Sequence, residues 1–381
     1  MSAVEDWPED LLRPRHGHST IAEVVPALAA RLTGSTPVDP WPLPAARRYV
    51  VLLVDGMGAD LLATHHDLAP HLSDMTSIPG LTCAVPSTTA TSLSCLGTGR
   101  SPGRHGIVGY TFRSPDGGVM NALSWSGGDE PEAMQPHATA FEELAGRQVA
   151  VTSVCPARFE RSGLTRATLR GPRFVGVRDE DDVEARAELA AEAARRAPVS
   201  LTYVYERSLD HVGHGQGVAS QQWQERLAWV DGLVAAIASR LPRDTVLVVT
   251  ADHGMVDVTA RSRLVAEDLP GGLDGVDVIA GEPRLRQLYT EDPSAVARRW
   301  RALMGERALV VEGREALAEG LFGPVDPRMA RRVGDVLVLA RQDWAVMTTR
   351  MPQEFSLVGM HGSLTGAEMR VPLLVETAGS R

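Results

Sequence analysis

The sequence predicts an α/β protein built on a mostly parallel sheet with helices on both faces. Three observations lead there. Four apolar runs of strand length, at 49–54, 148–154, 200–205 and 245–250, are close to continuously hydrophobic or β-branched, as strands covered on both faces are. Segments of helical composition and period, at 180–196 and 220–241, alternate with them. Residues that bind metals follow these runs: Asp55 and the pair Asp252-His253 come directly after two of them, and Asp210 shortly after a third. Open α/β sheets place ligands at the carboxyl ends of their strands.

From the N-terminus, Thr20-Ile-Ala-Glu23 is a capping box that opens a helix over 21–32. Pro26 falls early in it, where a missing amide matters little, and Gly34 ends it. A proline-rich loop over 36–44 leads into the first strand, which is punctuated by Asp55-Gly-Met-Gly58. The segment 88–96 begins a helix rich in small hydroxyl residues, broken by Gly97-Thr-Gly99 and Pro102-Gly103. After His253 the pattern changes. Strands are expected at 276–279, 285–289 and 335–339, and helices at 294–304 and 314–321. This marks an inserted α+β subdomain over 257–358, with the core formed by 1–256 and 359–381 and ending in the apolar run 371–375. There is no internal repeat or low-complexity tract.

Composition bounds the function. The 381 residues are 44% hydrophobic and 23% charged, as in an ordinary globular protein with a large core. Net charge is −10, so a nucleic-acid polymer is not an expected partner. No apolar run reaches the ~18–20 residues that span a bilayer, so no membrane partner is expected. The acidic start, residues 1–10, lacks the apolar centre of a signal peptide. Three widely spaced cysteines, Cys83, Cys95 and Cys155, fit buried thiols of a reducing cytoplasm rather than a disulfide framework or a Cys-x-x-Cys metal site. Oligomeric state is not readable.

The chemistry sits in four segments and a distant fifth: Asp55 after its strand, Pro86-Ser-Thr-Thr89-Ala-Thr-Ser92, Asp210-His-Val-Gly-His214, Asp252-His253-Gly254, and Gly359-Met-His361-Gly362. Asp, His and hydroxyl are ligand types for divalent cations. An Asp that ends a buried strand is either a turn cap or a ligand. Asp210 and His214, four apart, can converge on one cation from a helical turn or tight loop; His211 between them reads as a supporting or solvent-facing residue. Asp252 and His253 are adjacent, and Gly254 permits the turn that lets both reach one ion. The hydroxyl-rich start at 86–92 is an ordinary helix cap or, beside metals, the source of a nucleophile next to helix amides.

Read as a set, these motifs resemble the type I phosphodiesterase/nucleotide pyrophosphatase family of the alkaline phosphatase superfamily. The resemblance runs from Val50 to Glu376 and includes Gly99-Arg-Ser-Pro-Gly-Arg-His-Gly-Ile107 and Asp252-His-Gly-Met255. It implies an alkaline-phosphatase-like three-layer sandwich with a smaller inserted lobe, and hydrolysis of phosphodiester or pyrophosphate bonds in small phosphoesters. It implies Thr89 as nucleophile, one zinc held by Asp55, Thr89, Asp252 and His253, and a second by Asp210, His214 and His361. The mixed His/Asp set favours two Zn2+, and Mn2+ fits it too. One departure stands out: the family's usual Asn three residues after the nucleophile is Ser92 here, and its usual Pro is Thr91. Ser92 is the candidate to donate to a phosphate oxygen in its place, and the departure leaves the substrate open. A phosphomonoesterase or phosphonate hydrolase on the same site, or a metal-binding scaffold without catalysis, stands as an alternative. Tyr110, Phe112 and Trp125 are candidates to stack on a leaving group, and Arg100, Arg104 and Arg113 to meet a distal phosphate.

Overall fold

The computed structural model describes residues 7–36 and 40–379. The acidic stretch up to residue 6, residues 37–39 of the proline-rich loop and the last two residues lie outside it. The centre is a seven-stranded sheet in the order Thr76–Ser77, Leu373–Thr377, Thr245–Thr250, Arg48–Val54, Ser200–Glu206, Ala150–Pro156, Arg173–Val177. The five strands from Thr245–Thr250 to Arg173–Val177 are parallel neighbours. Leu373–Thr377 pairs antiparallel with Thr245–Thr250 on one side and with the two-residue edge Thr76–Ser77 on the other. All residues of Ser200–Glu206 and Thr245–Thr250 are buried, which requires cover on both faces of the sheet. Val183–Arg195 and Gln221–Arg240 pack on each other, the first also against Ser200–Glu206, and Ala140–Gly146 packs on the sheet at Ala150–Pro156.

The local signals act as physics requires. The Glu23 carboxylate accepts the Thr20 amide at 2.7 Å, and the chain turns from a short 3-10 turn, Ile21–Glu23, into the helix Val24–Thr33. Gly34 ends it at φ +71°. The hydroxyl-rich helix spans Thr89–Thr98, running through Gly97, with Thr88 at its extended N-cap and Gly99 in the left-handed region at its end. The second expected strand starts two residues late, at Ala150, because Gln148 sits at φ +63°.

The chain leaves this core at Val256–Asp257 and returns at Gly359–Met360, and the two exits pair antiparallel. Between them lies a four-stranded antiparallel sheet ordered Val278–Glu282, Leu285–Tyr289, Val336–Ala340, Ala308–Glu312. The strand expected at 276–279 is displaced toward Glu282, and the Ala308–Glu312 strand had no counterpart in the sequence reading. The helix Pro293–Met304 covers one face of this sheet through Val296 and Trp300. Its other face contributes Leu285, Val311, Leu337 and Leu339 to the core of the main sheet, so the lobe is welded on rather than hinged. Cys83, Cys95 and Cys155 are free and buried. Among the described residues, no helix is long and apolar enough to cross a membrane.

Candidate active site

Each polar segment lies at the carboxyl edge of the central strands. Asp55 follows Arg48–Val54 directly and its amide donates to Glu206 O at 2.8 Å, extending the ladder by one residue. Gly56 then turns at φ +75°, and a Cβ there would lie 3.0 Å from Asp210 Cα. Only glycine lets the Asp55 turn approach the Asp210 helix this closely. At the next strand end, a Cβ on Gly254 would lie 2.0 Å from Ala367 O and 3.0 Å from Gly58 Cα. These glycines bring the Asp55 turn and the Asp252-His253 turn together. Asp210 and His214 lie one turn apart on the helix Ser208–Gln216, and Thr89 opens its own helix.

Two clusters result. In one, His214 Nε2 lies 3.4 Å from Asp210 Oδ1 and 3.3 Å from His361 Nε2, with His361 Nε2 3.8 Å from Asp210 Oδ1. In the other, His253 Nε2 lies 3.4 Å from Asp55 Oδ1, 3.5 Å from Asp252 Oδ2 and 3.2 Å from Thr89 Oγ1, and Thr89 Oγ1 lies 3.5 Å from Asp55 Oδ1. Asp210 lies between them, within 4.8 Å of Asp55 and His253 as well as of His214 and His361. Ligands held at about 2.0–2.1 Å around a tetrahedral ion are separated by about 3.3–3.4 Å. The separations in both clusters, 3.2–3.5 Å except for the 3.8 Å of His361 to Asp210, lie close to that spacing.

The hydrogen bonds behind the ligands test whether a cation fits. The Nδ1 atoms of His214, His361 and His253 face the carbonyls of Gly359 (2.8 Å), Ser87 (2.8 Å) and Gly254 (3.0 Å). A carbonyl only accepts, so Nδ1 carries the proton and each Nε2 points a lone pair inward. The Nε2 atoms of His214 and His361 thus face each other with nothing to share. Asp210 Oδ1 and Asp252 Oδ2 are buried and accept no hydrogen bond from the described residues. Burial, and then the Asp252 and Asp210 charges, push the Asp55 carboxyl well above its usual range. Burial likewise lifts Asp252, against the pull of His253, and lowers His361 well below an ordinary histidine. Inward lone pairs, crowded carboxylates and orphaned acceptors are the demand of a site for divalent cations.

Further residues support this cup without having stood out in the sequence. Tyr205 donates its hydroxyl to Asp55 Oδ2, leaving Oδ1 facing Thr89 and His253. Ser87 accepts Gly362 N at 3.0 Å and donates to Ser363 O at 2.6 Å, tying the His361 loop to the segment that carries Thr89. The lobe also grips that loop. Arg284, fully buried, makes two 2.7 Å bonds to Glu368, whose Oε1 also accepts Ser363 N at 3.0 Å. The sole sequence signal was Tyr203 and Tyr205 at a strand's period of two, which places both on one face.

Beside the cup opens a cavity of ≈ 280 Å3 that reaches Asp55, Thr89 and Asp210. Its walls include Leu93, Leu123, Phe159, Leu164, Phe174 and Tyr205, and Arg207 and the exposed His211 also line it. The stacking expectation moves accordingly. Phe112 is fully buried elsewhere, Tyr110 gives its hydroxyl to Glu354 at 2.7 Å in the lobe, and Trp125 packs on Gly163 and donates to Asp129 O. Arg100 pairs with Glu143, and Arg113 with Asp335 and the Tyr289 ring. Neither these nor Arg104 lines the cavity. Tyr110 and Arg113 are taken up by the lobe, while Arg100 and Trp125 are engaged within the core. Ser92 is fully buried with no partner for its hydroxyl among the described residues, and Leu93 rather than Ser92 lines the cavity.

Fold and site define a phosphoester hydrolase of the alkaline-phosphatase-like kind. The sequence profile of the type I phosphodiesterase / nucleotide pyrophosphatase family matches residues 49–364, and the chain belongs to this family of metal-dependent phosphoric diester hydrolases. Its fold is similar to that of murine ectonucleotide pyrophosphatase / phosphodiesterase 5 (TM-score 0.67, 17% identity, 86% of this chain and 88% of that one). It is similar to an inactive threonine-to-alanine variant of the murine protein in complex with AMP (0.68, 16%, 86% and 87%) and to the human protein (0.64, 14%, 86% and 87%). No curated protein matches the sequence.

Proposed function

We propose that this enzyme cleaves phosphodiester or pyrophosphate bonds of small nucleotide-like phosphoesters, with Thr89 as nucleophile. The carrying observation is the Thr89 hydroxyl, half-buried at the start of a ten-residue helix and 3.2 and 3.5 Å from His253 and Asp55. Asp55, Thr89, Asp252 and His253 would hold one cation and Asp210, His214 and His361 the other, with Zn2+ favoured by the histidine-rich set. When bound, such ions lower the pKa of a hydroxyl or water and offset phosphate charge.

The chain's own residues do the rest. Thr89 Oγ1 forms the bond to phosphorus while the bond to the leaving oxygen breaks, giving a phosphothreonine ester. Water then attacks that ester, restoring Thr89 and releasing the second product. The first amides of the Thr89 helix lie beside Thr89 and meet the phosphate oxygens. The apolar cavity takes an organic group of the substrate and excludes water from it. The complex of a murine relative with AMP is in keeping with a nucleotide-sized organic group.

A diester is favoured over a monoester on charge. Arg207 is the one arginine among the described cavity residues, and Glu180 already holds its Nε at 2.9 Å, so little positive charge beyond the metals awaits a second phosphate charge. Thr89→Ala tests the nucleophile: hydrolysis of bis-4-nitrophenyl phosphate should fall by roughly 10³-fold or more while metal content holds at two. Undiminished hydrolysis would remove Thr89 from the role. Faster turnover of 4-nitrophenyl phosphate than of the diester would transfer the site to monoesters.

A further inference from the structure

Two residues of the chain each reach both halves of the cup. Glu206 ends the strand Ser200–Glu206. Its main-chain oxygen accepts the Asp55 amide at 2.8 Å. Its Oε1 accepts the Ser208 amide at 2.6 Å, at the start of the helix that carries Asp210 and His214. Glu368 repeats the arrangement. Its main-chain oxygen accepts the Gly254 amide at 2.8 Å, beside His253, and its Oε1 accepts the Ser363 amide at 3.0 Å, two residues beyond His361. In both residues the main chain holds the half with Asp55 and His253, and the side chain holds the half with Asp210, His214 and His361. The strands behind these two ties, Ser200–Glu206 and Thr245–Thr250, flank Arg48–Val54, which leads into Asp55.

Each carboxylate is clamped by an arginine from outside the cup. Arg186, on the helix Val183–Arg195, donates to Glu206 Oε2 and, at 3.1 Å, to Tyr205 O. Arg284 lies at the tip of the lobe, between Val278–Glu282 and Leu285–Tyr289. It donates to both oxygens of Glu368 and to Gln342 O, each at 2.7 Å. All four side chains are at most 2% exposed. Replacing a buried ion pair by apolar side chains of similar volume is often neutral for stability, so net stability does not explain two such pairs here. What they supply is direction, because a carboxylate bonded through both oxygens to charged and backbone donors keeps one orientation.

We propose that Glu206 and Glu368, each clamped by its buried arginine, are positioning residues that fix the separation of the two cation sites. The inference rests on the two-cation reading of the cup. Two ions clamp one phosphoryl group when they stand about 3.5–4 Å apart. Their ligands come from separate strand ends, a helix and the His361 loop. A residue bonded to both halves resists their drifting apart, and its arginine denies the carboxylate another rotamer. Through Arg284 the inserted lobe becomes part of the support of the metal centre.

The test replaces each pair by an apolar one in the full chain, as Arg186→Met/Glu206→Met and as Arg284→Met/Glu368→Met. Zinc is titrated into the metal-free enzyme against a chromophoric chelator, which yields two dissociation constants. In either variant both constants should rise together, by roughly 10–100-fold, while the metal-free protein keeps its circular dichroism spectrum. A merely structural pair would leave both constants at their wild-type values in a folded variant, and that result would overturn the proposal. A rise in one constant alone would also overturn it, since the pair would then support one half of the cup. If one double variant does not fold, the other decides. If neither folds, Glu368→Asp, which keeps both charges and withdraws the carboxylate by one methylene, decides by the same two constants. Wild-type enzyme that takes up fewer than two zinc ions would instead count against the proposed function.

Discussion

The metal cup and the cavity beside it touch at Asp55, Thr89 and Asp210, yet they are built in opposite ways. In the cup every imidazole is fixed from behind by a backbone carbonyl and Asp55 by a tyrosine. In the cavity most of the wall is aliphatic and aromatic side chains whose contacts are non-directional, with Ser153, Ser162, Thr165, Arg207 and His211 among them. Metal ligation depends on exact position, whereas an apolar pocket depends chiefly on volume. Under the proposed function chemistry is separated from selection, and substitutions in the two regions should fail differently.

The largest effect should come from the cup itself. His253→Ala removes a ligand and the partner nearest Thr89, so kcat/KM should fall by roughly 10³-fold or more with loss of metal stoichiometry. Full metal occupancy with full activity would show that the cup is not the reacting centre. One step out, Tyr205→Phe frees the Asp55 oxygen it holds, and metal affinity or kcat should drop by roughly 10–100-fold without a change of substrate preference. In the cavity, Phe174→Ala should act on KM, by roughly tenfold, with kcat little changed. An equal fall in kcat would erase the proposed division of labour.

The smallest effect concerns support rather than chemistry. Glu282, on the lobe, packs its side chain against Gly362 and accepts the Tyr110 amide at 2.6 Å. Burial pushes its carboxyl up to about 8 from 4.5, the Tyr110 bond pulling the other way. A folded-state value above the unfolded one means the protonated carboxyl stabilises the fold. That stability is complete below about 4.5 and is lost as pH rises through about 8. Glu282→Gln should flatten the decline of melting temperature across that window, and an unchanged slope would show that Glu282 ionises freely.

The contrast also explains what could be read without a structure. Asp55, Asp210 and Asp252 sit within a residue or a turn of strand ends, and strands buried on both faces announce themselves as apolar runs, so these three were visible as polar residues at places that discourage them. The central strands were legible for the same reason, as was the helix of Thr89. The cavity was not. Phe159 lies on a 3-10 turn, Leu164 on a six-residue helix and Phe174 on the edge strand Arg173–Val177, a weakly hydrophobic segment. Their convergence depends on packing across distant elements, which no local period encodes. The aromatics of 110–125 looked equally suitable, but Tyr110 gives its hydroxyl to Glu354 of the lobe and Trp125 turns back locally to Asp129. Ala308–Glu312 escaped because it directly follows a helix and a short turn, with no break to separate them.

Anomalous scattering from a zinc-loaded crystal tests the central claim most directly. The account predicts two peaks about 3.5–4 Å apart. One should lie among Asp55, Thr89, Asp252 and His253 and the other among Asp210, His214 and His361. A single peak, or peaks bound away from Thr89, would contradict it.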